Sequence, residues 1–260
     1  MNRIDATMGE LKKTGRKGFV AFLTAGDPDL AQSESDIRDA LDHGVDILEL
    51  GVPFSDPTAD GPVIQAASLR ALENGMNLEK VLGLVRKLRK DYEQPIVLFG
   101  YVNLFFRYGF ARLAQDAADA GVDGVLTVDL PYEESGPLFA ELQKHGLHRI
   151  PLAAPTTGAE RLKMILADAG GFLYYIMVTG VTGARQSVRT DLADRLKVLR
   201  SVTELPIAVG FGVSNGEQAQ AVAESADAVV VGSALISAAR EGHLKERVQD
   251  IRMGIDKATA

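Results

Sequence analysis

Short, almost continuously apolar runs alternate along this chain with longer stretches whose apolar residues recur every three or four positions. The runs at 18–24, 45–50, 95–100, 122–128, 148–153, 172–178, 206–209 and 228–231 predict eight strands. The stretches at 30–42, 62–74, 78–92, 110–120, 133–145, 159–169, 191–202 and 216–224 predict helices, and Gly44, Gly75, Gly121, Gly146 and Gly170 are placed to stop five of them. An amphipathic helix over 3–13 precedes the first strand, and a short helix and a terminal one over 243–257 follow the eighth. Strands without polar alternation belong to a parallel sheet covered on both faces. No linker or change of composition interrupts the alternation. The expectation is an α/β fold, a (β/α)8 barrel of the TIM type spanning 1–260 as one domain, with an extra N-terminal helix and a short extra helix after the eighth strand. An open, doubly wound sheet is the other arrangement this pattern allows. The glycine fingerprint expected after its first strand is absent, since the chain reads Ala25-Gly26-Asp27-Pro28 there.

Composition narrows the class. The 260 residues are 46% hydrophobic and 24% charged, with material for a large core. A net charge of −7 and the absence of a basic stripe argue against a nucleic-acid or anionic-membrane partner. With no cysteine there is neither a disulfide nor thiolate chemistry, and four scattered histidines offer no metal-ligand spacing. The N-terminus has no apolar core of a secretory signal, and no apolar run approaches the ~20 residues of a membrane helix. A cytoplasmic protein is expected.

On a barrel the working face lies at the C-terminal ends of the strands. The second strand delivers Glu49 there, on the face shared with Val45 and Ile47, and a turn-rich loop brings Asp60 to the start of the helix at Pro62. Each carboxylate alone has a structural explanation: Glu49 paired, Asp60 or Gly61 a helix N-cap. Together, across one strand-to-helix loop, they suit an acid/base pair. Three late loops are glycine-rich: Gly180-Val181-Thr182-Gly183, Gly210-Phe211-Gly212 and Gly232-Ser233. The last two occupy the loops that bind phosphate in such barrels, where glycine admits backbone N–H groups close to the anion. Ser214 with Glu217 has the spacing of a capping box that needs no ligand. The loop 179–188 is long and polar, as a lid would be. Phe22, Phe99, Tyr101, Phe172, Tyr174, Tyr175 and Phe211 fall near the same face, and a subset of them could border a flat apolar ring. These residues point to a phosphorylated substrate with an apolar part, worked on by two carboxylates.

The run from Leu48-Glu49-Leu50-Gly51-Val52-Pro53-Phe54-Ser55-Asp56-Pro57 through Asp60-Gly61-Pro62 and Gln65 resembles the signature of the tryptophan synthase alpha subunit. Gly26-Asp27-Pro28, Asp129-Leu130-Pro131 and the three late glycine motifs recur in that family's order, so the resemblance covers essentially the whole chain. Departures lie at pocket and surface positions such as Phe99, Phe172 and Thr58. The resemblance implies a lyase of tryptophan biosynthesis that cleaves indole-3-glycerol phosphate to indole and glyceraldehyde 3-phosphate by a retro-aldol reaction, with no cofactor in this subunit. It implies Glu49 as general acid/base and Asp60 as the carboxylate that holds the ring N–H. Gly183, Gly212, Gly232 and Ser233 would hold the phosphate. Phe22, Tyr101, Tyr174 and Phe211 would border the indole, and Thr182 would help close the lid and order Asp60. It also implies a pyridoxal-phosphate-containing beta subunit in an αββα assembly, met by Pro53, Phe54, Asp56 and Pro57. Rival readings are another phosphate-binding barrel enzyme, a stand-alone lyase releasing free indole, and a non-catalytic partner of a beta subunit.

Overall fold

The computed structural model describes residues 1–177, 185–210 and 212–258, the segment 185–191 by its backbone alone. In chain order the elements are α1 (Arg3–Lys13), β1 (Gly18–Thr24), α2 (Leu30–Asp42), β2 (Ile47–Gly51), α3 (Pro62–Glu73), α4 (Leu78–Leu88), β3 (Ile96–Gly100), α5 (Val102–Tyr108), α6 (Phe110–Ala120) and β4 (Gly124–Thr127). They continue with α7 (Gly136–Lys144), β5 (His148–Arg149), β6 (Leu152–Ala153), α8 (Ala159–Leu166), β7 (Leu173–Ile176), α9 (Arg185–Arg200), β8 (Ile207–Gly210), α10 (Gly216–Ala223), β9 (Ala228–Val231), α11 (Ser233–Arg240) and α12 (Leu244–Lys257).

All strand pairs are parallel, in the order β5-β4-β3-β2-β1-β9-β8-β7-β6. β5 and β6 stand at opposite ends of that order yet only Ile150 and Pro151 separate them, so they are two halves of one stave. The Ile150 N–H donates to Val125 on one side, and the Pro151 carbonyl accepts from Tyr174 N–H on the other. Pro151 has no N–H of its own, which interrupts the strand predicted over 148–153. The sheet therefore comes round on itself as a TIM barrel, closed at the other junction by β1 against β9. At that junction a Cβ on Gly18 would sit 2.9 Å from the Ala228 Cβ; only glycine lets the strands meet there.

Inside the barrel, Val20, Ile47, Val97, Leu126, Ile150, Phe172, Ala208, Ala228 and Val230 form one apolar cluster. Ile4, Met8 and Leu11 of α1 plug its lower end, which accounts for the amphipathic N-terminal helix. Phe172, fully buried in this plug, is core and does not border the upper cavity. The larger cluster lies between strands and outer helices, and Val45 belongs to it. β2 begins at Ile47, so the expected shared face holds for Ile47 and Glu49 but not for Val45.

Elsewhere the predicted elements are shifted for local reasons. The helix expected over 133–145 is a 3-10 turn, Tyr132–Glu134, followed by α7, because Pro137 is admitted only in a helix's first turn. α5 was not expected; it packs Phe105 against Gly100, whose missing Cβ makes room for the ring. α9 starts at Arg185, inside the stretch read as loop. The cap of α10 is Asn215, whose side chain accepts the Gln218 N–H, and not Ser214. Ser214 donates its N–H and its hydroxyl to the Gln218 amide oxygen instead.

At the lower rim Asp123, 3% exposed, accepts from Arg89, from Arg3 and from the Ile96 N–H at 2.6, 3.1 and 2.8 Å. Asp123→Ala leaves a largely buried guanidinium and a backbone donor without their acceptor. We expect a loss of about 3 kcal/mol in urea unfolding, against near-neutral change for truncating an exposed partner such as Glu93.

Candidate active site

A cavity of about 540 Å3 opens at the C-terminal ends of the strands. Its wall takes Phe22 from β1, Phe99 from β3, Leu152 from β6, Tyr174 and Ile176 from β7 and Val230 from β9, with Asp60 on one side and Gly210, Gly212, Gly232 and Ser233 on another. These side chains meet because alternate residues of each parallel strand face inward. Phe22 and Phe99 pack edge to face, centroids 5.0 Å apart.

Glu49 is not among the residues lining this space; it stands on β2 in register with Phe22 of the cavity wall and with Val97 on β3. The ring of Phe22 lies across Gly51, the next inward position above it: a Cβ there would come within 2.6 Å of the ring. Glu49 is 0% exposed, and among the described residues neither carboxylate oxygen has a hydrogen-bond partner. The structural explanation, a paired carboxylate, does not apply. Burial without compensation disfavours the anion and pushes the carboxyl up to about 8. At neutral pH Glu49 is therefore a protonated acid held against an apolar wall.

Asp60 also escapes the explanation by capping. The cap of α3 is Gly61, which makes no side-chain bond, and Pro62 fills the first helical position. The Asp60 carboxylate instead accepts the Tyr101 hydroxyl at 3.0 Å, and that hydroxyl accepts the Ala59 N–H, also at 3.0 Å. Burial raises the Asp60 carboxyl and the Tyr101 bond partly offsets it. Gln65 fixes the main chain by donating to the Asp60 carbonyl at 2.8 Å. Tyr101 thus stands behind Asp60 and is absent from the residues lining the cavity. Tyr174 lies within the influence of both carboxylates, which together with burial raise its phenol well above the ordinary value.

At the opposite wall the first bonds of α11 run from the N–H groups of Leu235 and Ile236 to the Gly232 carbonyl. The Ser233 and Ala234 N–H groups are thereby left at the open helix end, where a dianion is favoured. Gly180, Thr182, Gly183 and Phe211 lie outside the described residues. Of the residues expected to meet a partner, Asp56 is exposed, Phe54 half-buried, and Pro53 and Pro57 buried. Phe99, Val128 and Leu152 complete the apolar wall. Phe99 was legible from alternation with Val97; Leu152, in a strand broken by proline, was not. Among the described residues no group of three His, Cys, Asp or Glu side chains could hold a metal, and no helix is long and apolar enough to cross a membrane.

Known proteins share this arrangement. A model of the tryptophan synthase alpha chain family matches residues 8–258. The tryptophan synthase alpha chain of Geobacter sulfurreducens is 48% identical over 259 residues, covering 100% of this chain and 96% of the relative. Tryptophan synthase subunit alpha from Legionella pneumophila superposes with a TM-score of 0.91 at 39% identity, covering 99% of each chain. A chain of tryptophan synthase from Mycobacterium tuberculosis gives 0.91 at 33% identity and 98% of each. With matches of this extent and a barrel of this closure, the chain belongs to the tryptophan synthase alpha chain family.

Proposed function

We propose that this chain cleaves indole-3-glycerol phosphate to indole and glyceraldehyde 3-phosphate, with Glu49 and Asp60 carrying the chemistry on a single barrel domain spanning 1–260. Glu49 gives its proton to indole C3, which makes the ring an electron sink. As the carbon–carbon bond breaks, the Glu49 carboxylate takes the proton of the side-chain hydroxyl, the hydroxyl carbon becomes the aldehyde, and the acid is regenerated. Asp60 accepts the ring N–H and stabilises the positive charge that develops on that nitrogen, a charge largest in the transition state. Phe22 and Tyr174 border the ring, with Phe211 as a remaining candidate, whereas Tyr101, expected there, stands behind Asp60 instead. Gly212, Gly232 and Ser233, together with Gly183, hold the phosphate. Thr182 closes the lid. The observation that carries this reading is the buried Glu49, unpartnered among the described residues and raised to about 8, in register with Phe22 of the cavity wall. A carboxyl kept protonated at neutral pH is what C3 protonation requires.

The indole passes to a beta chain, which holds pyridoxal phosphate and meets this chain at Pro53, Phe54, Asp56 and Pro57 in an αββα assembly. The test is indole release from indole-3-glycerol phosphate by the purified chain, with and without a beta chain. Slow release that accelerates on adding the beta chain is expected. Equal rates in both would make the chain a stand-alone lyase, and silence in both would overturn the reading.

A further inference from the structure

Phe54 does more than stand beside the surface. Its ring stacks on that of Tyr101, centroids 5.0 Å and planes 28° apart. Tyr101 is 3% exposed, and its hydroxyl links Ala59 N–H to the Asp60 carboxylate, each at 3.0 Å. The main chain of Asp60 is fixed independently: its N–H donates to the Pro57 carbonyl at 3.0 Å, and its carbonyl accepts from Gln65. Among the described residues the carboxylate's hydrogen-bond partner is that phenol, which sets its direction. A tyrosine ring has two torsions, and at Tyr101 the backbone is set because the residue opens α5. What remains is the plane of the ring, and Phe54 lies against it.

We propose that Phe54 is a positioning residue: by stacking on Tyr101 it holds the phenol, and through it the Asp60 carboxylate, in the direction from which the substrate's ring N–H is accepted. Phe54 is followed directly by Ser55 and Asp56, both exposed. The proposal rests on Asp60 being the group that receives the ring N–H.

The test compares Phe54→Ala, Phe54→Leu, Phe54→Tyr, Tyr101→Phe and the double variant Phe54→Ala/Tyr101→Phe. Phe54→Ala is expected to lower kcat for indole release about tenfold with KM changed less than about threefold, as the loss of one directed bond to a charged group would. Phe54→Leu, which keeps apolar bulk without a flat ring, shows the same loss and serves should the alanine variant fold poorly. Phe54→Tyr returns kcat to within about twofold of the parent, and the double variant is no slower than Tyr101→Phe alone. Losses that multiply, or an unchanged kcat in Phe54→Ala and Phe54→Leu, overturn the proposal. A second reading does not depend on turnover. The chain has no tryptophan and six tyrosines, so tyrosine emission is directly visible. The emission of Tyr101, taken as the difference between each chain and its Tyr101→Phe counterpart, should rise in Phe54→Ala as the quenching carboxylate contact is lost. Unchanged emission overturns the brace. A parent chain that releases no indole would sink the functional reading while emission still decides the brace.

Discussion

Replacing Glu49 with glutamine is expected to abolish most indole release and to make the chain more stable at neutral pH. The two effects have one origin. In the folded chain the carboxyl keeps its proton up to about pH 8, whereas its ordinary value is 4.5. Between those limits the unfolded chain binds fewer protons, so folding must take one up, and stability falls as pH rises from about 4.5 until it levels off near 8. At about pH 7 this amounts to a penalty of about 3 kcal/mol. Glutamine carries no such penalty. Urea unfolding of the two chains should therefore differ by about 3 kcal/mol near pH 7 and converge near pH 4. A difference that stays flat with pH would show that Glu49 is not a neutral buried acid. Removing the acid/base should meanwhile lower kcat by about a thousandfold. A site that is strained in its charge state gains stability when its function is removed.

Asp60→Asn is the second large effect, expected to lower kcat about a hundredfold or more while KM moves far less. The amide oxygen can still accept the Tyr101 hydroxyl, so the 3.0 Å contact and the position of the side chain are kept. What is lost is the charge facing the ring nitrogen, and burial makes that charge count for more than it would in water. A loss confined to substrate affinity, with the single-turnover rate unchanged, would assign Asp60 to ground-state binding instead.

The barrel was legible because its signal is repeated: eight apolar runs alternate with helices, five of them with a glycine stop, and leave few alternatives. What resisted was set by tertiary context or by one residue. The stave at 148–153, His-Arg-Ile-Pro-Leu-Ala, reads as one strand, and the missing N–H of Pro151 divides it. α5 is short and aromatic, with Phe105 docking on a glycine far weaker as a sequence signal than as a space. At the site, Glu49 and Asp60 were visible as acids out of place, but their condition was not. No pattern in the sequence says that both Glu49 oxygens lack a partner, or that Asp60 answers to Tyr101, forty-one positions away. The wall of Gly210, Gly212 and Gly232 was visible as glycines clustered in the last two strand-to-helix loops. The aromatic brace on Tyr101 left no mark, since Phe54 looks the same in sequence whether it meets a partner or its own chain.

The junction of β1 with β9 also has a consequence for how the protein is made. β1 leaves the ribosome almost first and β9 almost last; Val20 pairs with Val230. Through most of translation one flank of β1 has no companion strand, and every other stave can assemble before it does. The growing chain is then an open sheet with an unpaired rim, the form most exposed to association with other nascent chains. Completion waits on residues 228–231 and on the space left at Gly18, and only then does the sheet lose its last edge.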